Sequence, residues 1–174
     1  MNSEVTQSPV AIADLIDRGL IKLGHVVSWV YAILIVVIIT QVILRRGFSS
    51  GLIAIEEMQW HLYAIGVLIG IVYAQACNAH VRVDVLHSHF SKKWQHIVEI
   101  LGICILLLPF LFVIFYHGVE FVAESFRMSE RSLAPAGLPL RWLIKSVIPL
   151  FTSLLILACF SRLYREIVLL KRGE

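Results

Sequence analysis

The sequence predicts an all-α integral membrane protein, with four transmembrane helices and a short N-terminal amphipathic interfacial helix ahead of them. Composition is the first reason: 59% of the 174 residues are hydrophobic and 16% are charged, against roughly 45–50% and 25% in an average soluble domain. The second is a set of four runs without Asp, Glu, Lys or Arg, at 23–44, 58–81, 100–119 and 146–161, where about 20 apolar residues suffice to cross a bilayer. The third is length. Four spans and their connections use nearly the whole chain, so 1–174 reads as a single membrane domain. A nucleotide-binding or receptor domain would have to sit on another chain.

The lead-in, 9–22, begins at Ser8-Pro9, which has the form of a helix start with serine as cap and proline in the first turn. Ile12, Leu15, Ile16 and Leu20 then recur at helical spacing opposite Asp14, Asp17, Arg18 and Lys22. That pattern suits a helix lying in the membrane interface, and equally one that extends the first span. The first span is 23–44. The acidic residues before it and Arg45-Arg46 after it mark it as retained rather than as a cleaved signal. A Gly/Ser loop follows, then Glu56 and Glu57 at the entry to the second span, 58–79, where acidic groups complement the helix dipole and Trp60 suits an interfacial belt.

Ser91 is placed to cap a helix running into the third span, 100–119. The longest connection, 120–142, contains the turn Ala134-Pro135-Ala136-Gly137-Leu138-Pro139, and Pro139 is placed to open the last helix, with Trp142 at the interface. The fourth span, 143–161, is short, but Lys145 and Arg162 at the ends of its charge-free run can reach the headgroups while their stems stay in hydrocarbon. Nine Lys/Arg residues fall on the side of the termini and six on the other, so the positive-inside rule puts both termini in the cytoplasm. Cys77, Cys104 and Cys159 all lie within predicted spans without CxxC spacing, as buried structural thiols do. The sequence shows no internal repeat of the kind that builds an inverted-repeat transporter.

Ion-coupled carriers and proton-coupled exporters place an ionisable residue deep in a span, and none of the four runs has one. The net charge of +3 comes from Lys and Arg flanking the apolar runs, which favours membrane orientation and gives no reason for a nucleic-acid partner. His61 and His117 fall toward the same side of the membrane. They form a candidate axial pair for haem b, as in the membrane anchor of a respiratory oxidoreductase, or else are interfacial imidazoles, His61 one turn from Glu57. Gly66, Gly70, Ala74 and Asn78 follow one another at four-residue steps, a stripe of small residues suited to close helix packing within this chain or against another. Arg82 and Asp84, in His80-Val81-Arg82-Val83-Asp84-Val85, read as a cytoplasmic interfacial clamp. Glu120, Glu124, Arg127, Glu130 and Arg131 stand at near-helical spacing, either as ordinary ion pairs along a helix or as a docking surface for a periplasmic partner.

The order of these fragments resembles the small membrane subunit, the DctQ-type or Q subunit, of tripartite ATP-independent periplasmic (TRAP) transporters. The resemblance rests on Leu15-Ile16-Asp17-Arg18, Glu56-Glu57-Met58-Gln59-Trp60-His61, the His80 to Val85 segment, Ser129-Glu130-Arg131-Ser132, Gly137-Leu138-Pro139-Leu140-Arg141-Trp142, and Lys145 through Pro149. It implies a non-catalytic scaffold in a bacterial inner membrane, packed on a large membrane subunit that carries substrate and sodium. It also implies a periplasmic substrate-binding protein that captures the solute, with organic acids as the default class. This chain would then hold no cofactor, sodium would bind the large subunit, and its other neighbours would be membrane lipids. Glu57, Arg127, Glu130, Ser132, Gly137, Pro139 and Arg141 become the docking or family-motif positions.

Overall fold

A computed structural model describes residues 10–79 and 91–172, and among them every regular element is helical. Helix α1 is Ala11–Gly47 and α2 is Ile53–Ala76. Helix α3, Lys92–Leu101, runs through a π-helical turn, Gly102–Leu107, into α4, Leu108–Arg127. Helix α5 is Arg141–Arg172. Among the described residues, three helical stretches are long and apolar enough to cross a membrane: α1, the continuous Lys92–Arg127 stretch, and α5. Helix α2 has 24 residues, but Gln59, His61, Tyr63, Tyr73 and Gln75 dilute its apolar run.

The lead-in is not a separate element. The chain is helical without interruption from Ala11 to Gly47, 37 residues or about 55 Å at 1.5 Å per residue, so it has no break at which to turn from the interface into the bilayer. No proline interrupts this stretch, and its two acidic residues, Asp14 and Asp17, are both taken up by α5. The helix opens at Val10, in extended conformation, whose carbonyl receives the Asp14 N–H at 2.9 Å. The Ser8-Pro9 start, like the Arg82–Asp84 clamp, lies outside the described residues.

Ser91 does occupy the cap position of α3, although its hydroxyl makes no capping bond. The last helix opens at Arg141, two residues beyond Pro139. Two helix ends close in the same way. After α2, Asn78 takes φ 54°, with Ala79 N–H bonding Ala74 O at 2.8 Å and Asn78 N–H bonding Gln75 O at 3.1 Å. After α4, Ser129 takes φ 47°, with Glu130 N–H on Ser125 O and Ser129 N–H on Phe126 O, both at 3.0 Å. Each is the paired 6→1 and 5→2 closure with a left-handed residue just past the helix.

The π-helical turn has a local cause. Pro109 has no N–H, and its ring crowds the carbonyl four residues back; widening the turn before it, so that Leu108 N–H reaches Ile103 O, relieves that contact. Helix α5 is the hub: α1, α2, α3 and α4 all pack on it, and α1 and α2 form a second close pair. The core lies along α5, with Phe151, Leu155, Ala158 and Cys159 meeting Leu20, Val72, Ile103, Leu108 and Leu111. Only 11%, 17% and 33% of the apolar windows of the three long stretches are buried, so most of their hydrophobic surface faces outward, where lipid would cover it.

Candidate functional site: two polar clamps and a packing stripe

The first clamp sits at the α4–α5 loop. Glu57, in the first turns of α2, accepts hydrogen bonds from the Ser132 hydroxyl and from Leu138 N–H at 2.6 Å. Between those two donors the loop folds on itself, Ser132 N–H to Leu138 O at 3.3 Å and Gly137 N–H to Ala134 O at 3.0 Å. Gly137 must lack a side chain, because a Cβ there would run into Ser132 and come within 3.0 Å of Glu57 Oε1. Glu130 pairs with Lys145 and stands 3.9 Å from Arg141, while Arg141 N–H returns to Glu130 O at 3.2 Å. Lys145 also lies 3.8 Å over the Phe121 ring, a cation–π contact that helps fix its position.

Both carboxylates are thereby held in the charged form. The Ser132 hydroxyl and then Leu138 N–H pull the Glu57 pKa below its ordinary 4.5, and the Lys145 ammonium does the same for Glu130, with Arg141 adding to both. Of the sequence-predicted loop positions, Glu57, Glu130, Ser132, Gly137 and Arg141 are thus brought together as parts of the loop's own scaffold. Pro139 lies in the same loop, on its exposed side. Arg127 stands apart, on an exposed i,i+3 pair with Glu124 at 3.3 Å, a kind of pair that contributes little stability. His117 is 69% exposed and pairs with Glu120 at 3.3 Å on its own helix. Among the described residues α4, which carries it, packs chiefly on α5, while α2, which carries His61, packs chiefly on α1 and α5.

The second clamp joins the start of α1 and the start of α3 to the end of α5. Arg165, 4% exposed, donates to Asp14 Oδ1 at 2.7 Å and Asp17 Oδ2 at 2.9 Å. Ser161 donates to Asp17 Oδ1 at 2.7 Å and lies 3.2 Å from the Ala13 carbonyl. On the next residue, Glu166 pairs with His96 and with Arg162 at 2.6 Å, and Arg162 reaches Glu99 at 3.4 Å. Around this charged interior the exposed residues include apolar side chains, Ile12 and Leu15 on α1, Trp94 and Val98 on α3, Phe160 and Tyr164 on α5, beside the exposed cations Arg18, Lys22, Lys92 and Lys93. Sequence reasoning missed this clamp. Its one local signal is that Asp14 and Asp17 lie three apart, as do Arg162 and Arg165, so that each pair shares a helix face.

The stripe on α2 divides. Gly66 is buried against α1, where a Cβ would stand 2.7 Å from Tyr31 Cζ. The reverse contact lies seven residues away on both helices: a Cβ on Gly24 would stand 2.6 Å from Tyr73 Cδ2. Each helix therefore seats its tyrosine on the other's glycine. A Cβ on Gly70 would meet nothing within 4 Å, and the residue opens on an apolar cavity of about 290 Å³ between Tyr31 and Tyr73. Ala74 is half-buried, and Asn78 is the left-handed residue that ends the helix.

Residues 34–169 match the family described as "Tripartite ATP-independent periplasmic transporters, DctQ component". The chain belongs to the DctQ family. It is also similar to a Haemophilus influenzae protein described as a TRAP transporter small permease, with 26% identity over 148 residues, covering 83% of this chain and 87% of that one. No solved structure matches the chain. TRAP components work as a complex, and a DctQ subunit is a component of a transporter. The matched range takes in the whole loop clamp and the α3 and α5 halves of the second clamp; Asp14 and Asp17 lie ahead of it.

Proposed function

We propose that this chain is the scaffold-type small permease subunit of a TRAP transporter. It packs on the large membrane subunit, anchors that subunit in the bilayer and contributes to the surface on which a periplasmic substrate-binding protein lands. The transporter takes up an organic acid or related small solute, driven by sodium that binds the large subunit. Four helical crossings of a bacterial inner membrane, with α2 as the fourth, put both termini and the second clamp in the cytoplasm and the loop clamp in the periplasm.

The observation that carries this reading is the DctQ match across 34–169. The distribution of charge supports it. The buried charges, Arg165 and Glu166, are paired with named partners in the second clamp, and the cavities of about 380 and 450 Å³ beside α2 are lined mainly by apolar side chains. That is the construction of a part that positions other parts. The test is a mild-detergent purification of this chain expressed with its genomic neighbours, together with solute uptake in cells lacking it. A stoichiometric larger polytopic partner and loss of uptake on deletion are expected. Uptake at the wild-type rate without this chain, with the large subunit stably inserted, would overturn the scaffold role.

A further inference from the structure

Between their two tyrosine–glycine contacts α1 and α2 part. Gly24 against Tyr73 and Tyr31 against Gly66 close the pair at two levels, and the apolar cavity of about 290 Å³ lies between them. Of its lining residues His25, Ser28 and Gly70 are exposed, so it opens on the outer surface of the helix pair. The polar groups around it are turned to the chain itself. The Ser28 hydroxyl donates to the His25 carbonyl at 2.7 Å, the Tyr73 hydroxyl is hydrogen-bonded to Cys77, and the His25 ring leans on the Tyr73 ring at 5.5 Å. Water needs two or more polar partners to stay in such a space. The two closures are seven residues apart along α1, about 10 Å, so a helix of another protein, about 10–12 Å across, does not enter between them. What fits is a single hydrocarbon chain.

Arg18, Lys22 and His25 stand at i, i+4 and i+7 on one face of α1, and His25 lines the cavity. Arg18 and Lys22 are exposed and make no ion pair among the described residues, while the nearby carboxylates, Asp14 and Asp17, are engaged by Arg165. Two cations thus stand just beyond the His25 end of the cavity. From Lys22 to Tyr31 is nine residues, about 13 Å, close to the ~15 Å that one leaflet contributes to a hydrocarbon core about 30 Å thick. An anion at that level and an apolar chain one leaflet long beneath it are the two halves of an acidic phospholipid. We propose that the α1–α2 cavity, with Arg18 and Lys22 above it, is a binding site for a phospholipid of the phosphatidylglycerol type. Its phosphodiester meets the two cations and one acyl chain lies between Tyr31 and Tyr73. The amine of phosphatidylethanolamine would bring a third cation to the same place, which like-charge repulsion disfavours. The lipid fills a gap in the packing and so braces the helix pair. This rests on the membrane class of the chain and stands apart from the scaffold reading.

The test is native mass spectrometry and thermal unfolding of the full chain in mild detergent. Phosphatidylglycerol or phosphatidylethanolamine with the same acyl chains is added, and inorganic phosphate serves as the anion without a chain. Phosphatidylglycerol is expected to bind about thirtyfold more tightly than phosphatidylethanolamine, the scale of two cations beside an acidic headgroup, and to raise the melting temperature. Phosphate should not raise it. Arg18→Gln combined with Lys22→Gln, both on the exposed surface, should erase most of the preference, and Arg18→Lys should keep it. Gly70→Leu fills the cavity and should weaken phosphatidylglycerol about tenfold or more; Ser28→Leu fills it from the α1 side if Gly70→Leu does not accumulate. Equal affinity for the two lipids overturns the site, as does a preference that survives the double glutamine variant, which would put the phosphate elsewhere. Phosphatidylglycerol binding indifferent to the filled cavity would put the chain elsewhere and overturns it too. Stabilisation by phosphate as large as by the lipid would reduce the site to one for a free anion.

Discussion

Adding one methyl group at each of three glycines separates the α1–α2 packing from the mere presence of a small-residue stripe. In Gly24→Ala the new Cβ lies 2.6 Å from Tyr73 Cδ2 and 2.9 Å from Tyr73 Cβ. The second of these atoms is the root of the side chain and cannot swing away, so α1 and α2 must separate. In Gly66→Ala the nearest atoms, at 2.7 to 3.0 Å, are Cζ, Cε1 and Oη of Tyr31, the far end of a side chain that can rotate. Gly70→Ala meets nothing. Overpacking costs about 1–3 kcal/mol, and alanine in place of glycine in a helix returns about 1 kcal/mol. The net expectation is a loss of about 2 kcal/mol for Gly24→Ala, near zero for Gly66→Ala, and a gain of about 1 kcal/mol for Gly70→Ala. At about 2–4 °C per kcal/mol for a chain of this size, Gly24→Ala should lower the melting temperature of the purified chain in mild detergent by about 4–8 °C and Gly70→Ala should raise it. Combining Gly24→Ala with Tyr73→Ala should cost less than the sum of the two single changes. Equal shifts at all three glycines, or Gly70 proving the most costly, would refute the reciprocal tyrosine–glycine packing.

Arg165→Leu leaves the half-buried Asp14 and Asp17 without their cation and should cost about 1–3 kcal/mol; adding Asp14→Asn and Asp17→Asn should recover most of the melting temperature, and no recovery would mean that the arginine acts through something other than these carboxylates. The loop clamp has a defined pH response. Glu57 and Glu130 have pKa values lowered by folding, so their contribution is full above about pH 4.5 and is lost as pH falls through the depressed folded values. Hydrogen exchange at Leu138 N–H, corrected for intrinsic rate, should stay protected at neutral pH and open only in that acid window. Glu57→Gln should weaken that protection at neutral pH and flatten its acid dependence, and exchange that is insensitive to both perturbations would dissociate the bond from loop order.

The membrane class was legible because solvent selects it residue by residue: a charge-free run of twenty needs no knowledge of its neighbours. The entry Glu56-Glu57 and the turn Ala134 to Pro139 were legible for a related reason, since turn chemistry and helix-end charge are local. Their junction was not, because nothing within either fragment shows that Glu57 reaches Ser132 and Leu138 across some 75 to 81 residues. The second clamp escaped in the same way. Asp14, Asp17 and Arg165 each look like boundary charges until α1 and α5 lie side by side, and Arg162 does so until α3 brings Glu99 to it. In the polar face of the lead-in, Asp14 and Asp17 turn to Arg165 of α5 while Arg18 and Lys22 stay exposed, and the pattern alone cannot tell these apart. Of the stripe on α2, Gly66 lies against Tyr31 of α1 while a Cβ on Gly70 would meet nothing; four-residue spacing alone does not show which glycine faces the neighbouring helix.

The widened turn at Gly102–Leu107 has the arithmetic of an insertion. Its coil takes more residues per revolution than its flanks, so everything from Leu108 onward is rotated relative to the angular frame of α3. The inward side of α3 is polar, His96 and Glu99, while the inward side of α4 is Leu108, Leu111 and Gly118; a uniform helix from Lys92 to Arg127 would aim one of these sets away from α5. The stretch thus behaves as two reading frames spliced together, and shortening it by a single residue between Gly102 and Leu107 would change its pitch while leaving both faces aimed as they are.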